Sequence, residues 1–222
     1  MGNLIEVKNL KIVYRANGRD FIGLDGFSGS FESGKISAIF GPSGSGKTSL
    51  LMSVGTLLPP TEGSIVYDGR DVYSLPEAEV QKLRRKIGIT FQEPTFINVL
   101  SVWENIELAL YGAGKLKAEF KRRAEELAYK LGIGDILHKR PTEISGGEAR
   151  RAAVVRALAH DPDVLLLDEP TAYLDGESTR TLIKLLEEEK ERGKTIIVTT
   201  HDPVFDKIAD AKFYLQHGKQ IT

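Results

Sequence analysis

The amino-terminal part of the chain alternates hydrophobic and polar residues, with the period of β-strands that are buried on one face. This pattern predicts two strands over residues 4–14 and 21–31, joined by a polar turn at 15–20 that contains an Asn-Gly hairpin dipeptide at 17–18. Residues 64–67 predict another strand between two turns. Together these segments indicate an antiparallel β subdomain.

Continuous apolar runs follow and indicate strands that are buried on both faces. They cover residues 36–40, 164–167 and 195–199, and a further strand is predicted at 86–91. Strands of this kind are typical of parallel sheets that are covered by helices. Residues 211–216, with the tail that follows them, predict a final edge strand. We therefore expect an α/β fold with a mainly parallel core sheet.

Helical spacing replaces strand spacing over residues 101–131, where apolar residues recur every three or four positions. With 222 residues, 41% of them hydrophobic, the chain can bury a sizeable core as one domain. The predicted organisation is a single domain over 1–222, with the core and β subdomain at about 1–91 and 145–222 and a helical insertion at about 92–144.

Composition excludes several classes of function. The formal net charge is -1, with 30 Lys and Arg against 31 Asp and Glu, so no nucleic-acid partner is expected. Cys is absent, which excludes disulfides and thiolate metal sites, and the four His are scattered singly. No apolar run is long enough to span a bilayer, and the amino terminus alternates like a strand rather than a signal peptide. A cytoplasmic location is expected.

A glycine-rich loop follows the apolar run at 36–40. Residues 41–48, GPSGSGKT, match the pattern G-x-x-x-x-G-K-[ST] in the strand-to-helix context that this pattern requires. Glycines let backbone N–H groups surround phosphates, and a helix N-terminus adds its positive end. Lys47 can reach the outer phosphates, and the Thr48 hydroxyl suits Mg²⁺. The alternative is a flexible Gly/Ser loop, which the preceding strand and the Lys-Thr pair disfavour.

Two carboxylates stand at the end of the apolar run at 164–167, the position where doubly wound sheets bind ligands. Asp168 and Glu169 are adjacent on what we interpret as an extended segment, so their side chains should point in different directions. Asp168 suits a Mg²⁺ site, and Glu169 could polarise an attacking water. An acidic pair that begins a solvated loop is the alternative.

Four further residues are candidates for function. His201 follows the strand at 195–199 and could contact a transferring phosphoryl group, and Gln92 lies at a strand-to-loop junction. Tyr14 ends the first strand, where it could stack on a base or be a half-exposed strand aromatic, and spacing alone does not decide between the two. Ser145 is a good N-cap with Glu148 in capping-box position, so a well-capped helix explains that segment without any ligand.

The motifs together resemble an ATP-binding cassette ATPase. The segments that carry the resemblance are FGPSGSGKTSL, Gln92, ISGGE, VLLLDEPTAYLD and TTHD, in that order and spacing, so it covers essentially the whole chain. The most specific part is ISGGEARRAAVVRALAHDPDVLLLDEP, a signature peptide followed by a DEP-ended strand. The chain is most similar to the nucleotide-binding subunits of the lipoprotein-releasing and macrolide-exporter branch of transporters.

This resemblance implies a P-loop NTPase fold with ATP and Mg²⁺ as cofactors. Tyr14 would stack on adenine, while Glu169 would be the general base, His201 the switch histidine and Lys47 a catalytic phosphate ligand. The implied phosphate-binding residues are Ser43, Gly44, Ser45, Gly46, Lys47, Thr48 and Ser49. The implied Mg²⁺ residues are Thr48, Gln92 and Asp168.

The resemblance also implies a homodimer that closes on ATP. Ser145 and Gly147 would contact the γ-phosphate held by the other subunit, and Asp175 would lie in the loop that communicates between subunits. An integral-membrane transporter subunit would be the partner, which places the protein peripherally on the inner face of the cell membrane. Two other functions stay open at this stage: a cell-division-type cassette that acts as an ATP-gated mechanical switch, and a scaffold that binds ATP without hydrolysing it.

This sequence departs from the family pattern at three positions. Ile144 and Glu148 stand where the signature usually has Leu and Gln, and Ala172 replaces the usual Ser. A carboxylate at position 148 repels a triphosphate but also stabilises a helix N-terminus, so its net effect is open.

Overall fold

The computed structural model describes residues 4–16 and 18–221. A six-stranded sheet has the order β10-β9-β3-β8-β7-β6, in which all neighbouring strands are parallel except β10, which is antiparallel to β9. Its strands are β3 (Lys35–Phe40), β6 (Ile87–Thr90), β7 (Val164–Asp168), β8 (Thr195–Thr200), β9 (Ala211–Gln216) and β10 (Lys219–Ile221). The mainly parallel core sheet is confirmed. The single edge strand predicted from 211–216 and the tail is wrong in one respect, because the tail turns back as β10 and pairs antiparallel to β9.

A four-stranded antiparallel sheet, ordered β2-β1-β4-β5, confirms the predicted β subdomain. It contains β1 (Leu4–Ala16), β2 (Arg19–Glu32), β4 (Glu62–Tyr67) and β5 (Arg70–Asp71). The predicted turn at 15–20 is too long, because Ala16 already pairs with Arg19. Arg15 and Asp20 are cross-strand partners whose Nε and Oδ1 atoms lie 2.9 Å apart, and such an ion pair favours continued strand pairing. Asn17 of the predicted hairpin dipeptide lies outside the described residues.

Seven helices are described: α1 (Lys47–Val54), α2 (Glu77–Arg84), α3 (Val102–Gly112), α4 (Ala118–Lys130), α5 (Gly146–Leu158), α6 (Gly176–Glu191) and α7 (Phe205–Ile208). The helical segment predicted at 101–131 is two helices, α3 and α4. Gly114 has φ of 71°, a left-handed conformation that ends α3. None of the described helices has the length and apolar content that a membrane span requires.

The parallel sheet is buried on both faces. On one face, buried residues of the sheet such as Ile36, Leu165 and Val198 belong to an apolar cluster with residues of α3, α4, α5 and α6. On the other face, Ile39 and Leu166 belong to a second cluster with residues of α1 and the antiparallel sheet. Because α3 and α4 share the first cluster with the sheet, they have no separate core. The boundaries of the insertion at 92 and 144 stay a prediction.

Two tyrosines fix the carboxyl end of α1, the helix that follows the glycine-rich loop. The hydroxyl of Tyr67, in β4, donates to the Val54 carbonyl at 2.8 Å. The Tyr73 hydroxyl lies 2.6 Å from the Leu58 carbonyl and 2.8 Å from that of Ser53. Carbonyls at a helix end lack a partner within the helix, so the bond from Tyr67 satisfies the Val54 carbonyl, while Tyr73 connects the end of α1 to the turn that follows it. The antiparallel sheet and the 3₁₀ turn Val72–Ser74 that follows it thereby hold the end of α1 in place.

Candidate nucleotide site

The glycine-rich loop between β3 and α1 can form only with glycine at several positions. Gly44 and Gly46 have φ of 76° and 97°, in the left-handed region that other residues rarely adopt. A Cβ at position 46 would lie 2.3 Å from the Gly23 carbonyl oxygen, and one at position 41 would lie 2.3 Å from that of Leu215. The loop is therefore packed closely between β2 and β9, and a flexible Gly/Ser loop is the wrong interpretation.

Lys47 begins α1 with its ammonium group turned back along the loop. Its Nζ donates to the carbonyls of Gly41 at 2.6 Å and Pro42 at 3.0 Å. The same atom lies 3.8 Å from Oε1 of Glu169, and the lysine is only 7% exposed. The buried hydroxyl of Ser45 has no hydrogen-bond partner within the described part of the chain. The loop thus holds a positive charge and a free hydroxyl, two groups that bind phosphate oxygens.

Asp168 ends β7 and is 1% exposed. Its Oδ2 accepts from the Thr48 hydroxyl at 2.7 Å, and its Oδ1 accepts from the Thr199 hydroxyl at 2.5 Å. One carboxylate therefore connects α1, β7 and β8 at a single point. Buried carboxylates need such bonds, because an unpaired buried charge is costly.

Glu169 corrects one part of the sequence interpretation. Its φ is 47°, so the chain turns sharply after Asp168 instead of staying extended, although the two carboxylates do contact different partners. A left-handed residue other than glycine costs about 1–3 kcal/mol and is often found at functional sites. The Glu169 N–H donates to the Thr199 carbonyl at 2.8 Å, which holds this turn. Its Oε2 lies 3.0 Å from Nδ1 of His201.

These groups surround one cavity of about 330 Å³. Its lining consists of Tyr14, Gly23, Ser43, Gly44, Ser45, Gly46, Lys47, Thr48, Ser49, Gln92, Asp168, Glu169 and His201. Twelve of the thirteen are residues that the sequence analysis selected. The structure therefore brings the glycine-rich loop, the two carboxylates and the histidine together. The side chain of His201 is 76% exposed at the rim, whereas that of Glu169 is 8% exposed.

Gly23 is the lining residue that the sequence analysis missed. A Cβ at position 23 would lie 2.5 Å from the ring of Tyr14, so glycine is needed for that ring to lie against β2. The Tyr14 hydroxyl is 2.9 Å from the Ser49 hydroxyl, and the residue is 41% exposed. The bond to Ser49 fixes the ring at the cavity wall, and its exposed part is available for stacking. A glycine inside a strand pattern is a signal of such close approach.

Ser145, Gly147 and Asp175 do not line this cavity. Ser145 is the N-cap of α5, and Asp175 is the N-cap of α6, where it accepts from the Ser178 N–H at 2.7 Å. That bond lowers the pKa of Asp175. A Cβ at position 147 would lie 2.9 Å from the Tyr173 carbonyl oxygen, so the signature glycine packs against the segment before α6. The sequence-predicted residues therefore fall into two groups, one inside the cavity and one outside it.

Glu148 completes the capping box that the sequence predicts. Its Oε2 accepts from the N–H and the hydroxyl of Ser145, both at 2.7 Å. These bonds lower the pKa of Glu148 below its ordinary value. The carboxylate at this unusual position therefore has a structural role. It also accepts the hydrogen bond that the Ser145 hydroxyl donates.

Mg²⁺ fits the chemistry of the cavity. Thr48, Gln92 and Asp168 line it with oxygen donors, the ligands that Mg²⁺ prefers while it keeps several waters. Over residues 4–16 and 18–221 there is no cluster of three or more His, Cys, Asp or Glu that could hold a metal ion. The buried carboxylate of Asp168 and the neighbouring Thr48 hydroxyl suit a Mg²⁺ ion whose other ligands are waters and phosphate oxygens.

The parallel sheet, the phosphate loop at the end of β3 and the carboxylates at the end of β7 define a P-loop nucleotide-binding protein. The family model described as "ABC transporter" matches residues 24–172. The chain belongs to the ABC transporter family, as the sequence motifs indicated.

Relatives of known name include an importer and an exporter. The chain is 38% identical over 220 residues to the methionine import ATP-binding protein MetN 1 of Oceanobacillus iheyensis, covering 98% of this chain and 65% of that protein. It is also 38% identical over 220 residues to the macrolide export ATP-binding/permease protein MacB of Hyphomonas neptunium, covering 99% of this chain and 34% of that protein. The chain thus spans less than two thirds of the length of either relative. A member of the predicted exporter branch is among them, at the same identity as the importer.

Two solved structures that the chain matches are dimers. The chain matches the dimeric structure of MJ0796, titled a bacterial ABC transporter cassette, with a TM-score of 0.90 and 33% identity over 98% of this chain and 97% of that one. A dimeric post-hydrolysis state of the same cassette, bound to ADP and Pi, matches with a TM-score of 0.90 and 32% identity. Both matches confirm the predicted fold class.

The capping box predicts a pH-dependent contribution to stability. Replacing Glu148 by Gln keeps an acceptor but removes the charge, and at pH 7 it should lower the free energy of unfolding by roughly a few tenths of a kcal/mol. Because the pKa of Glu148 is lower when folded, this contribution is present above the ordinary carboxyl pKa and is lost as the pH falls through the folded value. Urea unfolding of both proteins between pH 7 and acid should show the difference shrinking.

The control for this comparison is Glu119→Gln in the first turn of α4, where the N-cap Lys117 makes no side-chain cap bond. Because it also removes a negative charge from a first helical turn, this control separates the effect of the capping bonds from that of the helix dipole. A difference between Glu148→Gln and the parent protein that stays constant, or grows, on acidification would contradict the role of the box.

Proposed function

We propose that the chain binds ATP together with Mg²⁺ and hydrolyses ATP to ADP and phosphate. The observation that carries this proposal is the placement of Glu169, a buried carboxylate at the wall of a cavity formed by the phosphate loop. It lies 3.8 Å from the ammonium of Lys47, in a backbone conformation that costs free energy. A charged acceptor held in this way suits a general base better than a packing role.

The proposal assigns a role to the main polar residues of the cavity and to Tyr14. The N–H groups at the start of α1, together with Lys47 and the unpartnered hydroxyl of Ser45, bind phosphate oxygens. Thr48, Gln92 and Asp168 hold Mg²⁺, which when bound neutralises charge on the phosphates. Glu169 accepts the proton of the attacking water, and Tyr14 stacks on adenine. His201, now paired with Glu169, turns toward the γ-phosphate when ATP is bound.

The second group of residues supports a two-subunit site. Ser145 caps the exposed N-terminus of α5, whose backbone N–H groups and positive dipole end favour an anion. Ser145, Gly147 and Asp175 lie outside the chain's own cavity, which is expected if they complete the cavity of a second copy. We therefore infer a homodimer in which each ATP is bound between the phosphate loop of one copy and α5 of the other.

The proposed physiological role is to power transport through a separate membrane-spanning subunit. The named relatives are an import ATP-binding protein and an export ATP-binding/permease protein, which supports transport as the class of function and leaves its direction open. The protein would then lie peripherally on the inner face of the cell membrane. A mechanical switch of the cell-division type remains the alternative, and no nucleic-acid partner is proposed.

The catalytic assignment is tested by Glu169→Gln, which keeps the shape of the side chain but removes proton acceptance. Steady-state phosphate release should fall by about 10²- to 10⁴-fold, because that is the contribution of a positioned general base. ATP affinity from calorimetry should stay within about threefold, since the phosphate loop is untouched. The matched control is Glu187→Gln, an exposed glutamate of α6, which should behave like the parent. Near-normal turnover of Glu169→Gln would refute the assignment.

The transport assignment is tested by co-purification. The protein, tagged and expressed in its native source, should be recovered from detergent-solubilised membranes with an integral-membrane subunit in stoichiometric amount. That result identifies the partner. Recovery only in the soluble fraction, or with cell-division proteins in place of a transporter subunit, would contradict the transport role while leaving the ATPase assignment intact.

A further inference from the structure

Arg150, on the inner face of α5, is the largest of the fully buried side chains, with an exposure of 0%. Its guanidinium donates to three backbone carbonyls and, within the described part of the chain, to no carboxylate. Nη1 donates to the Phe91 carbonyl at 2.8 Å and lies 3.4 Å from that of Asp168, and Nη2 donates to the Gln92 carbonyl. The sequence analysis gave this residue no role.

A buried cation that forms no ion pair costs free energy, and the nearby carboxylates of Asp168 and Glu169 offset only part of that cost, so packing alone does not account for arginine at this position. Burial lowers the pKa of Arg150, although an arginine stays charged at physiological pH. The planar guanidinium presents several donors in a rigid fork, which lets one side chain bind carbonyls of two different segments at once. An aliphatic side chain of similar length could fill the volume but could not make these bonds.

The three carbonyls lie just where the sheet stops holding the two segments together. The pairing of β6 with β7 ends at Thr90 and Leu167, and the next residues are Phe91 and Gln92 on one strand and Asp168 on the other. Beyond this last pair, Arg150 binds the carbonyls of both segments and so connects residues 91–92 to Asp168. It therefore sets the position of the backbone of Gln92 relative to that of Asp168.

We propose that Arg150 is a positioning residue for ATP hydrolysis, acting by holding the backbone of Gln92 and Asp168 in register so that both side chains face the same bound Mg²⁺ and phosphates. The inference rests on the proposed ATPase function and deepens it. Arg150 lies five positions after Ser145 on α5. The same helix therefore fixes the Mg²⁺ side of its own site and presents its N-terminus to the other subunit.

Arg156 provides a matched comparison on the same helix. Its Nη1 donates to the Thr95 carbonyl, and its guanidinium lies 4.7 Å from the centre of the Phe96 ring. Like Arg150, it holds the segment after β6 through a backbone carbonyl. Unlike Arg150, it makes no bond to Gln92 or Asp168. Loss of Arg156 should therefore loosen the segment without disturbing the cavity.

The experiment compares Arg150→Met, Arg150→Lys and Arg156→Met with the parent protein. Methionine removes the donors while keeping an apolar side chain of similar length, a replacement that buried charges often tolerate. For Arg150→Met we expect kcat to fall by about 10- to 100-fold, the effect of losing a group that orients metal-binding residues, with the KM for ATP changed less than about threefold. Arg150→Lys, with one donor group in place of a fork, should recover part of kcat.

Hydrogen exchange without nucleotide gives a readout that does not depend on activity. Arg150→Met should speed amide exchange at residues 91–93 and at 168–170, on both sides of the gap, because it releases both segments. Arg156→Met should speed exchange only near residues 95–97 and leave kcat within about twofold of the parent value. Melting temperatures of all four proteins establish that the comparison is made between folded states.

Three outcomes would overturn the proposal. The first is parental kcat in Arg150→Met, which would make the arginine a packing residue. The second is an equal loss of kcat in Arg150→Met and Arg156→Met, which would indicate general loosening. The third is an Arg150→Lys variant whose kcat and amide exchange equal those of the parent protein. This outcome decides the question if Arg150→Met does not fold. If the parent protein itself releases no phosphate, the ATPase proposal fails, while the exchange comparison still decides whether Arg150 holds both segments.

Discussion

The carboxylate of Asp168 is the interaction on which the rest of the site depends. One of its oxygens is bonded to Thr48 on α1 and the other to Thr199 on β8, while β7 holds its backbone. The helix that follows the phosphate loop is thereby fixed to the ends of two central strands. Because this carboxylate is almost fully buried, shifting either threonine would leave a charge unpaired, and the free-energy cost keeps the three elements together.

The strand ends show what a sequence can predict about such a site. Continuous apolar runs predicted β3, β7 and β8, and the residues just after them converge because parallel strands end at the same edge of a sheet. Sequence position therefore predicts that Lys47, Asp168 and His201 lie at the same edge of the sheet. Residue chemistry at these positions suggested roles for Lys47, Asp168 and Glu169, and the resemblance to a family added those of Gln92, Ser145 and Asp175.

Contacts between segments far apart in sequence were not predictable in this way. Gly23 lines the cavity only because the Tyr14 ring lies across it, and Arg150 binds carbonyls more than fifty residues away for Phe91 and Gln92. The left-handed turn at Glu169 depends on a bond to the Thr199 carbonyl from another strand. Each of these features follows from tertiary packing, which overrides local preference. The hairpin tip differs from the prediction for the same reason, since a cross-strand ion pair extends strands that polar composition would end.

The chain on its own holds only part of the catalytic arrangement that we propose. Ser145 caps α5 outside the chain's cavity, and its hydroxyl is bonded to Glu148, so its donor is not yet directed at any ligand. A γ-phosphate supplied by a second copy would compete for that hydroxyl and for the helix N-terminus. The negative charge of Glu148 opposes this approach while its capping bonds favour an ordered terminus. The central claim of this account is that two copies make each site.

Mixing two inactive proteins tests that claim most directly. Lys47→Ala removes a phosphate ligand from one side of the site, and Ser145→Arg blocks the other side. In a mixed dimer, both lesions fall in one composite site and the other site is intact. The measurement is phosphate release as a function of mixing ratio, with mixed dimers verified by differential tags. We predict that activity returns, with a maximum near equal amounts of the two proteins. No activity in verified mixed dimers, together with parent-protein activity that is first order in the concentration of single subunits, would contradict the account.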